Sequence, residues 1–521
     1  MRRSLLDLLR DPARLFALRG GVHPLGQKFL ASNSPIERMP IPTLLRVPLQ
    51  QHIGAPAEPV VVRDDLVLKG QLVGRARGPI SANVHAPTSG RVLAVGHFAA
   101  PHPSGLPVPT ITIRPDGEDR WGPRLSRLHP EDVSSDEISA QVREAGIVGM
   151  GGATFPSAVK LGLREKYDLD TLVINAAECE PYLTCDDRLL QEHAEEVTDG
   201  IAIMASALGV RRALIAIESN KPKAISTMRH KMAQLGEMGR LVVVPTRYPM
   251  GSEKHLVQAL TGKETPARAL TAEMGIVVHN AATAYAVHLA VRYGEPLLSR
   301  VVTVSGRAIK RPANVRVLIG TPVADILDHC GGFARPAKRL VLGGPMMGQP
   351  IENLRVPVVK GTNGVLALTA AETASDLSMP CIRCGSCVQA CPVGLTPLEL
   401  NARIQAGDLE GAEKVGLLDC IACGSCSFIC PASIPLVQSF NYAKGKLAQR
   451  QSEKHRQEET KRLAEARKAR EAAISKAKRE AMAKRKAEMA AKKKRAAAEK
   501  AAAEQSVEAR PPGKVDSEAV S

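Results

Sequence analysis

Eight of the eleven cysteines in this 521-residue chain fall into two runs with identical spacing. The runs are Cys381, Cys384, Cys387 and Cys391 before Pro392, and Cys420, Cys423, Cys426 and Cys430 before Pro431. This C-x2-C-x2-C-x3-C-P spacing is typical of segments that bind a pair of [4Fe–4S] clusters. A structural zinc site needs only four ligands and usually has two separated C-x2-C pairs. The sequence therefore predicts two clusters and one-electron transfer.

The pairing of the two runs is expected to be crossed, because three thiolates of one loop bind three corners of a cluster and the other run supplies the fourth. Cluster 1 is then held by Cys381, Cys384, Cys387 and Cys430, and cluster 2 by Cys391, Cys420, Cys423 and Cys426. The other cysteines match no ligand spacing and are expected to be small buried residues; they are Cys179, Cys185 and Cys330.

A second candidate site is the glycine-rich stretch 149–156, which precedes a predicted helix that contains Lys160. Glycines allow backbone N–H groups to approach a phosphate, and a helix N-terminus adds a favourable dipole. Glycine clusters also occur in ordinary turns, so the stretch alone leaves both interpretations open.

The elements that must position these residues alternate between strand and helix. Apolar runs at 172–175, 213–217 and 241–245 predict buried strands, and helical patterns at 190–208 and 222–235 separate them. This alternation predicts a doubly wound α/β domain, in which ligands bind at the carboxyl ends of the strands. The chain has no G-x-G-x-x-G fingerprint at a strand end, so an ordinary dinucleotide-binding site is not expected.

Several of these segments resemble a known family. Gly149–Pro156 with Lys160 resembles the flavin-binding loop of the flavoprotein subunit of respiratory complex I. The segments 175–181, 248–254 and 278–283 are similar to its other flavin-contacting and NADH-contacting stretches. With 20–24, 84–90, 342–348 and the cysteine runs added, residues 15–445 resemble the RnfC (RsxC) proteins of the Rnf electron-transport complexes.

The resemblance implies a role for each matching residue. Residues that would hold the FMN phosphate and ribityl chain are Gly149, Gly151, Gly152, Ala153, Phe155 and Lys160. Further FMN contacts would come from Asn175, Glu178, Asn280 and Thr283, and NADH contacts from Glu180 and Glu253. The NADH site departs from the family pattern at Ala177, at Ser252 and in the absence of aromatic residues from 264–268.

The resemblance also implies an activity and partners. The chain would be a peripheral subunit of an ion-translocating oxidoreductase on the cytoplasmic face of the bacterial inner membrane. Integral membrane subunits, NADH and a ferredoxin-type carrier or partner Fe–S subunit would be its partners. Two alternatives are a soluble flavin/Fe–S reductase, such as a cobalamin reductase, and an electron-wire or assembly subunit that does not oxidise NADH.

The resulting architecture is multidomain, α/β and α+β. The expected divisions are an N-terminal segment (1–45), an unmodified lipoyl-like barrel-sandwich (46–120), a Rossmann-like FMN/NADH domain (130–298), a soluble-ligand-binding β-grasp domain (299–365), a two-cluster ferredoxin-like domain (370–445) and a helical charged tail (446–521). Fold-level analogy contributes to these assignments.

The net charge of +17 comes mainly from the tail, since residues 444–521 carry +11. That segment consists largely of Ala, Lys, Arg and Glu, which favour a solvated helix. No apolar heptad runs through it, so a coiled coil is not expected. An anionic membrane surface is a candidate partner, whereas nucleic acid is disfavoured because no base-reading motif accompanies the charge.

Residues 1–10 lack the pattern of a signal peptide, and no apolar run is long enough for a membrane span.

Overall fold

The computed structural model describes residues 16 and 18–508, apart from 100, 102–105 and 374–376. Residues 1–10, for which we expect no signal peptide, lie outside the described residues. The chain divides into two compact units, Met1–Ala443 and Lys444–Ser521.

The strands and helices follow in chain order. The strands are β1 Ile36–Arg38, β2 Leu45–Pro48, β3 Glu58–Pro59, β4 Leu66–Val67, β5 Leu72–Arg75, β6 Val84–His85, β7 Gly90–Ala99, β8 Pro107–Pro115, β9 Thr171–Ala176, β10 Arg212–Glu218, β11 Gly239–Val244, β12 Ile276–Asn280, β13 Ser299–Ser305, β14 Ala313–Leu318, β15 Arg339–Leu342, β16 Gln349–Ile351 and β17 Gly364–Leu368. The α-helices are α1 Ser135–Glu144, α2 Ser157–Leu161, α3 Cys185–Glu192, α4 Ala194–Leu208, α5 Pro222–Met232, α6 Glu253–Thr261, α7 Ala281–Tyr293, α8 Val323–His329, α9 Ser386–Ala390, α10 Pro397–Gln405, α11 Leu409–Lys414, α12 Ser425–Phe428 and α13 Leu436–Glu508.

Strands β2 to β8 form two small sheets, with orders β2-β8-β7-β4 and β3-β5-β6. All their strand pairs are antiparallel. Alternate side chains point inward, so that Val47, Ile111 and Ile113 are completely buried. A Cβ atom on Gly74 would lie 2.6 Å from a methyl group of Leu49, so a larger residue here would require the Leu49 side chain to shift.

A parallel sheet of order β11-β10-β9-β12 forms the second region. Its central strands are buried on both faces, because helices cover the sheet. Three of its strands match the apolar runs predicted from the sequence. The predicted helix 190–208 is instead two helices, α3 and α4, which meet at the non-helical backbone of His193. The predicted helix 222–235 ends as α5 at Met232 and continues as a 3₁₀ turn.

The third sheet is mixed, with order β1-β14-β13-β17-β15-β16. Its first strand comes from the N-terminal segment, where Ile36 pairs in parallel with Asn314. Buried residues of the sheet and of α8, such as Val302, Val315 and Ile326, form its core. The N-terminal segment is therefore built into this sheet.

The cysteine-rich segment contains four short helices, α9 to α12. The two cysteine loops repeat the same backbone conformation: Arg383 and Ala422 have φ of 55° and 53°, and Gly385 and Gly424 have φ of 77° and 79°. These left-handed positions turn the chain tightly just before α9 and α12. The repeat in the sequence is thus a repeat in local structure.

The described part of the tail, up to residue 508, belongs to a single helix, α13, which runs for 73 residues from Leu436 to Glu508. The large exposed apolar side chains of α13 are few and widely spaced along the helix; they are Tyr442, Leu463, Ile474, Met482 and Met489. The described residues include no helix that is long and apolar enough to cross a membrane.

Candidate functional site

Residues 149–156, here called the glycine loop, lie over the N-terminus of α7. The Met150 N–H donates to Thr283 Oγ1 at 3.0 Å, and the Gly149 N–H donates to the Phe155 carbonyl at 2.7 Å. A Cβ atom on Gly151 would lie only 3.3 Å from Asn280 Cβ. The structure therefore brings the loop, which also carries Gly152 and Ala153, against Asn280 and Thr283.

Two asparagines end neighbouring strands of the parallel sheet. Asn175 of β9 is paired in register with Asn280 of β12. The Asn175 amide donates to the Gly251 carbonyl at 2.7 Å, and the Asn280 amide donates to Asp186 Oδ2 at 2.7 Å. We call these strand ends, together with the glycine loop, the flavin edge.

Lys160 and Glu253, expected to bind different ligands, form an ion pair. Lys160 Nζ lies 2.9 Å from Glu253 Oε2 and also donates to the Val278 carbonyl at 2.9 Å. The second Glu253 oxygen accepts from Thr271 Oγ1 at 2.8 Å. Both side chains therefore lie beside β12, and each is engaged by protein groups.

Glu178 is buried under the start of α3. Its Oε1 accepts the Asp186 N–H at 2.8 Å, so the carboxylate caps the helix N-terminus. Burial raises the pKa of Glu178, and the positive charges of Lys28 and Lys221 oppose that rise. Lys28 Nζ also donates to the carbonyl of Glu178 itself, at 2.8 Å.

Glu180 is turned toward residues 343–348, here called the β-grasp loop. Its carboxylate accepts the N–H groups of Met346 and Met347 at 3.0 and 2.9 Å. Burial raises the pKa of Glu180 to about 7. A Cβ atom on Gly344 would lie 2.2 Å from the Glu180 carboxylate, so the loop approaches this closely only because residue 344 is glycine.

Some cysteines of one run lie close to cysteines of the other run. The thiol of Cys426 lies close enough to those of Cys423, Cys420 and Cys391 for their charges to interact. Cys387 interacts in the same way with Cys430. We call Cys391, Cys420, Cys423 and Cys426 the inner set, and Cys381, Cys384, Cys387 and Cys430 the outer set. This proximity agrees with the crossed pairing, which stays a prediction.

The two sets differ in burial. Three thiols of the inner set are buried and Cys420 is half-buried, whereas Cys381 and Cys384 of the outer set are exposed. Cys423 of the inner set packs with Tyr248, whose hydroxyl donates to the Cys423 carbonyl at 2.6 Å. Three residues further on, the Gly251 carbonyl accepts from Asn175 of the flavin edge. His255 Nε2 lies 3.0 Å from the carbonyl of Pro392, next to Cys391.

Four family models match successive parts of the chain. They are the RnfC barrel sandwich hybrid domain at 16–118, the Nuo51 FMN-binding domain at 142–289, the SLBB domain at 301–350 and the 4Fe-4S dicluster domain at 374–461. Together they give the barrel-sandwich, flavin, SLBB and cluster regions in the order expected from the sequence.

Similar proteins extend over most of the chain. The RnfC protein of the ion-translocating oxidoreductase complex of Rhodobacter capsulatus is 71% identical over 456 residues, which cover 88% of each chain. Its counterpart in the proton-translocating ferredoxin:NAD(+) oxidoreductase complex of Clostridium ljungdahlii is 46% identical over 83% of this chain and 94% of its own length. The chain belongs to the RnfC family of ion-translocating oxidoreductase complexes. The RnfC protein of Pseudomonas aeruginosa is 45% identical, over 84% of this chain and 57% of its own length.

As a member of the RnfC family, the chain is part of an ion-translocating electron-transport complex and has FMN and [4Fe–4S] cofactors. The residues that the structure describes fit both cofactors. Backbone N–H groups point to cysteine sulfur in both sets, from Arg383 to Cys381 Sγ and from Ala422 to Cys420 Sγ, each at 3.4 Å. Such bonds stabilise thiolate ligands. At the flavin edge, Gly152 with φ of +115° has open space where a Cβ would stand.

Some residues that shape the site in this RnfC protein could not be found from the sequence. Three charged residues lie under the site: Lys221 and Arg300 are buried, and the side chain of Lys28 is only 14% exposed. Lys28 and Lys221 both reach the carbonyl of Glu178, and Arg300 contacts Met150 of the glycine loop. Each comes from a segment without a ligand-type motif, and an isolated lysine or arginine in a sequence usually indicates an exposed position. Only the fold places their charges here.

Proposed function

We propose that NADH is the two-electron substrate of this protein and that a ferredoxin-type carrier or partner Fe–S subunit is its one-electron partner. The Clostridium ljungdahlii relative is named for ferredoxin and NAD(+), which supports this choice. FMN, when bound, can accept a hydride and release electrons singly to iron–sulfur clusters. The protein residues position the cofactors and limit the access of water.

We assign FMN binding to the residues gathered at the flavin edge. They are Gly149, Gly151, Gly152, Ala153, Phe155, Lys160, Asn175, Glu178, Asn280 and Thr283. Glu180 and Glu253 would contact NADH. The support is that loop, strand ends and helix N-terminus converge within hydrogen-bond distance of one another.

The observation that carries this proposal is that Cys423 of the inner set packs with Tyr248 and Cys179, while Gly251 of the same turn accepts from Asn175 of the flavin edge. Tyr248 is buried there, with its hydroxyl on the Cys423 carbonyl and beside Glu180. Gly21 donates its N–H to the Ala390 carbonyl at 2.9 Å, which fixes the loop next to Cys391. We therefore place cluster 2 on the flavin side and cluster 1 farther along the path.

The outer set would then face the partner. Exposed apolar side chains lie close in sequence to its cysteines: Leu377, Met379 and Ile382 are 77%, 62% and 69% exposed. Phe428, two residues before Cys430, is 50% exposed. Transient electron-transfer contacts are small and need an accessible cofactor edge, which the outer set offers and the inner set does not.

The complex as a whole would include integral membrane subunits, and this protein would lie peripherally on the cytoplasmic face. The basic tail would contact anionic lipid mainly through charge, because large apolar side chains are few along α13. Pelleting with anionic vesicles, with and without residues 446–521, tests this role. Binding that is unchanged by removal of the tail or by raised salt would refute it.

A second candidate is an electron-wire subunit that does not oxidise NADH. It is favoured by one observation: Glu180 and Glu253, the two expected NADH contacts, are both held by protein partners. One experiment separates the two functions. If NADH is the substrate, the protein reconstituted with FMN and both clusters loses its flavin absorbance when NADH is added. If the absorbance persists while the clusters are intact, the electron-wire function is correct and NADH oxidation is not.

A further inference from the structure

Arg300 is a buried cation without an ion-pair partner among the described residues. It lies on β13, the first SLBB-region strand, and is only 4% exposed. Its Nε donates to the Thr362 carbonyl at 3.2 Å, and its Nη1 contacts Met150 Sδ at 2.6 Å. Nη2 is buried and has no hydrogen-bond partner in the part of the chain that the structure describes.

Such an arrangement is costly, because a guanidinium remains charged and a buried charge requires compensation. The groups whose charge could act on Arg300 are Cys185 and then Asp186. Burial raises the pKa of the Cys185 thiol well above its usual range, and the Asp186 carboxylate is hydrogen-bonded to Asn280. A negatively charged group that is not part of the polypeptide would balance the positive charge of Arg300.

The position of Arg300 indicates which group this is. Met150, which Arg300 contacts, is part of the glycine loop and directly precedes Gly151. Asn280 belongs to the flavin edge, and its amide donates to Asp186, whose negative charge acts on Arg300. The guanidinium therefore lies directly behind the loop that is expected to hold FMN, although it comes from a different domain.

We propose that Arg300 is a positioning residue of the FMN site, and that its charge balances the negative charge of the cofactor from behind the glycine loop. The proposal rests on FMN binding at the flavin edge. The negative charge is either the phosphate group, present at all times, or the flavin ring, which gains it on reduction. In both cases the SLBB region contributes electrostatically to flavin binding.

The test compares the full-length chain carrying its clusters with Arg300→Met, Arg300→Lys and a control, Arg307→Met. Arg307 is an arginine of the same region and is half exposed. FMN and riboflavin affinities are measured by fluorescence quenching, and the flavin midpoint potential by redox titration. Cluster EPR signals check that each variant is folded.

We expect Arg300→Met to weaken FMN binding about tenfold or more, or to lower the flavin midpoint potential, because a charged hydrogen-bonding group is removed. Arg300→Lys should retain most of the wild-type behaviour, and Arg307→Met all of it. Weakened FMN binding with unchanged riboflavin binding identifies the phosphate. A lowered potential with both affinities unchanged identifies the reduced ring.

Unchanged FMN affinity and unchanged potential in folded Arg300→Met would overturn the proposal. If that variant does not fold, Arg300→Gln replaces it, because it retains polar contacts to Thr362 while removing the charge; wild-type values in Arg300→Gln would be equally decisive. If wild-type protein does not bind FMN at the flavin edge, the proposed function fails instead, which separates the two outcomes.

Discussion

Lys28 joins the N-terminal segment to the chain that follows β9, and replacing it tests how the flavin edge is held. Its Nζ donates to the carbonyl oxygens of Glu178, Glu180 and Leu183 at 2.8, 3.0 and 2.5 Å. The side chain is only 14% exposed, and its removal from water, with the neighbouring charge of Lys221, lowers the pKa of the ammonium group. We predict that Lys28→Met disorders the 178–183 segment and thereby weakens FMN binding.

The magnitude follows from the three hydrogen bonds. Each is worth about 1 kcal/mol net, so their loss costs about 3 kcal/mol. Relief of the buried charge offsets part of this cost and leaves about 2 kcal/mol, or about 30-fold in the equilibrium constant between the ordered and the disordered segment. Because we predict that the segment is mostly disordered in the variant, FMN binding has to reorder it, and its Kd should rise by about 10- to 30-fold.

The measurement is an FMN titration of the full-length protein by fluorescence quenching. The matched control is Lys69→Met, which removes a lysine bound to Asp119 at 2.6 Å in the β2–β8 region. That variant should bind FMN like the wild type. A Kd for Lys28→Met within about twofold of the wild-type value, equivalent to about 0.4 kcal/mol, would refute the reasoning.

Three further predictions concern the clusters and the domain junctions. Cys391→Ala should abolish the same cluster EPR signal as Cys423→Ala and leave about four irons per chain instead of about eight; loss of different signals would contradict the crossed pairing. Tyr248→Phe leaves the buried Cys423 carbonyl without its 2.6 Å donor, so the thermal stability of the inner cluster should fall by the equivalent of about 1–3 kcal/mol; an unchanged melting profile would argue against this. Burial lowers the pKa of Lys360 to about 7, from 10.5, so between these values the unfolded chain holds a proton that the folded chain has lost. The unfolding free energy of the wild type relative to Lys360→Met should therefore rise with pH across this window, by at most about 1.4 kcal/mol per pH unit; parallel urea midpoints at both ends of the window would disprove it.

Much of this organisation could be predicted from the sequence because it depends on local signals. The spacing of the cysteine runs follows from cluster geometry, and both runs fold into the same loop. The strands of the parallel sheet are continuous apolar runs, so their positions were predicted correctly. The break at His193 was missed, because residues on both sides favour helix and only its backbone shows the interruption.

The supports of the site depend on long-range contacts and could not be predicted. Lys28 bonds to carbonyls about 150 positions away, and Lys360 donates to the carbonyls of Asn83 and Gly146, both at 2.6 Å. Such residues have no motif, because their acceptors are backbone atoms that any sequence supplies. The domain limits and the assignments of cofactor-binding residues stay predictions for the same reason.

The unequal burial of the two cysteine sets determines which of the two clusters would be lost first on exposure to oxygen. Oxidants reach exposed thiolates before buried ones, so damage should begin at Cys381 and Cys384, while Cys423 and Cys426 are still protected beneath Tyr248 and the β-grasp loop. A damaged molecule would then retain its inner centre and lose only the outer one. Repair would require no opening of the domain junction, because two of the vacant ligands, Cys381 and Cys384, face solvent and the other two are half-buried.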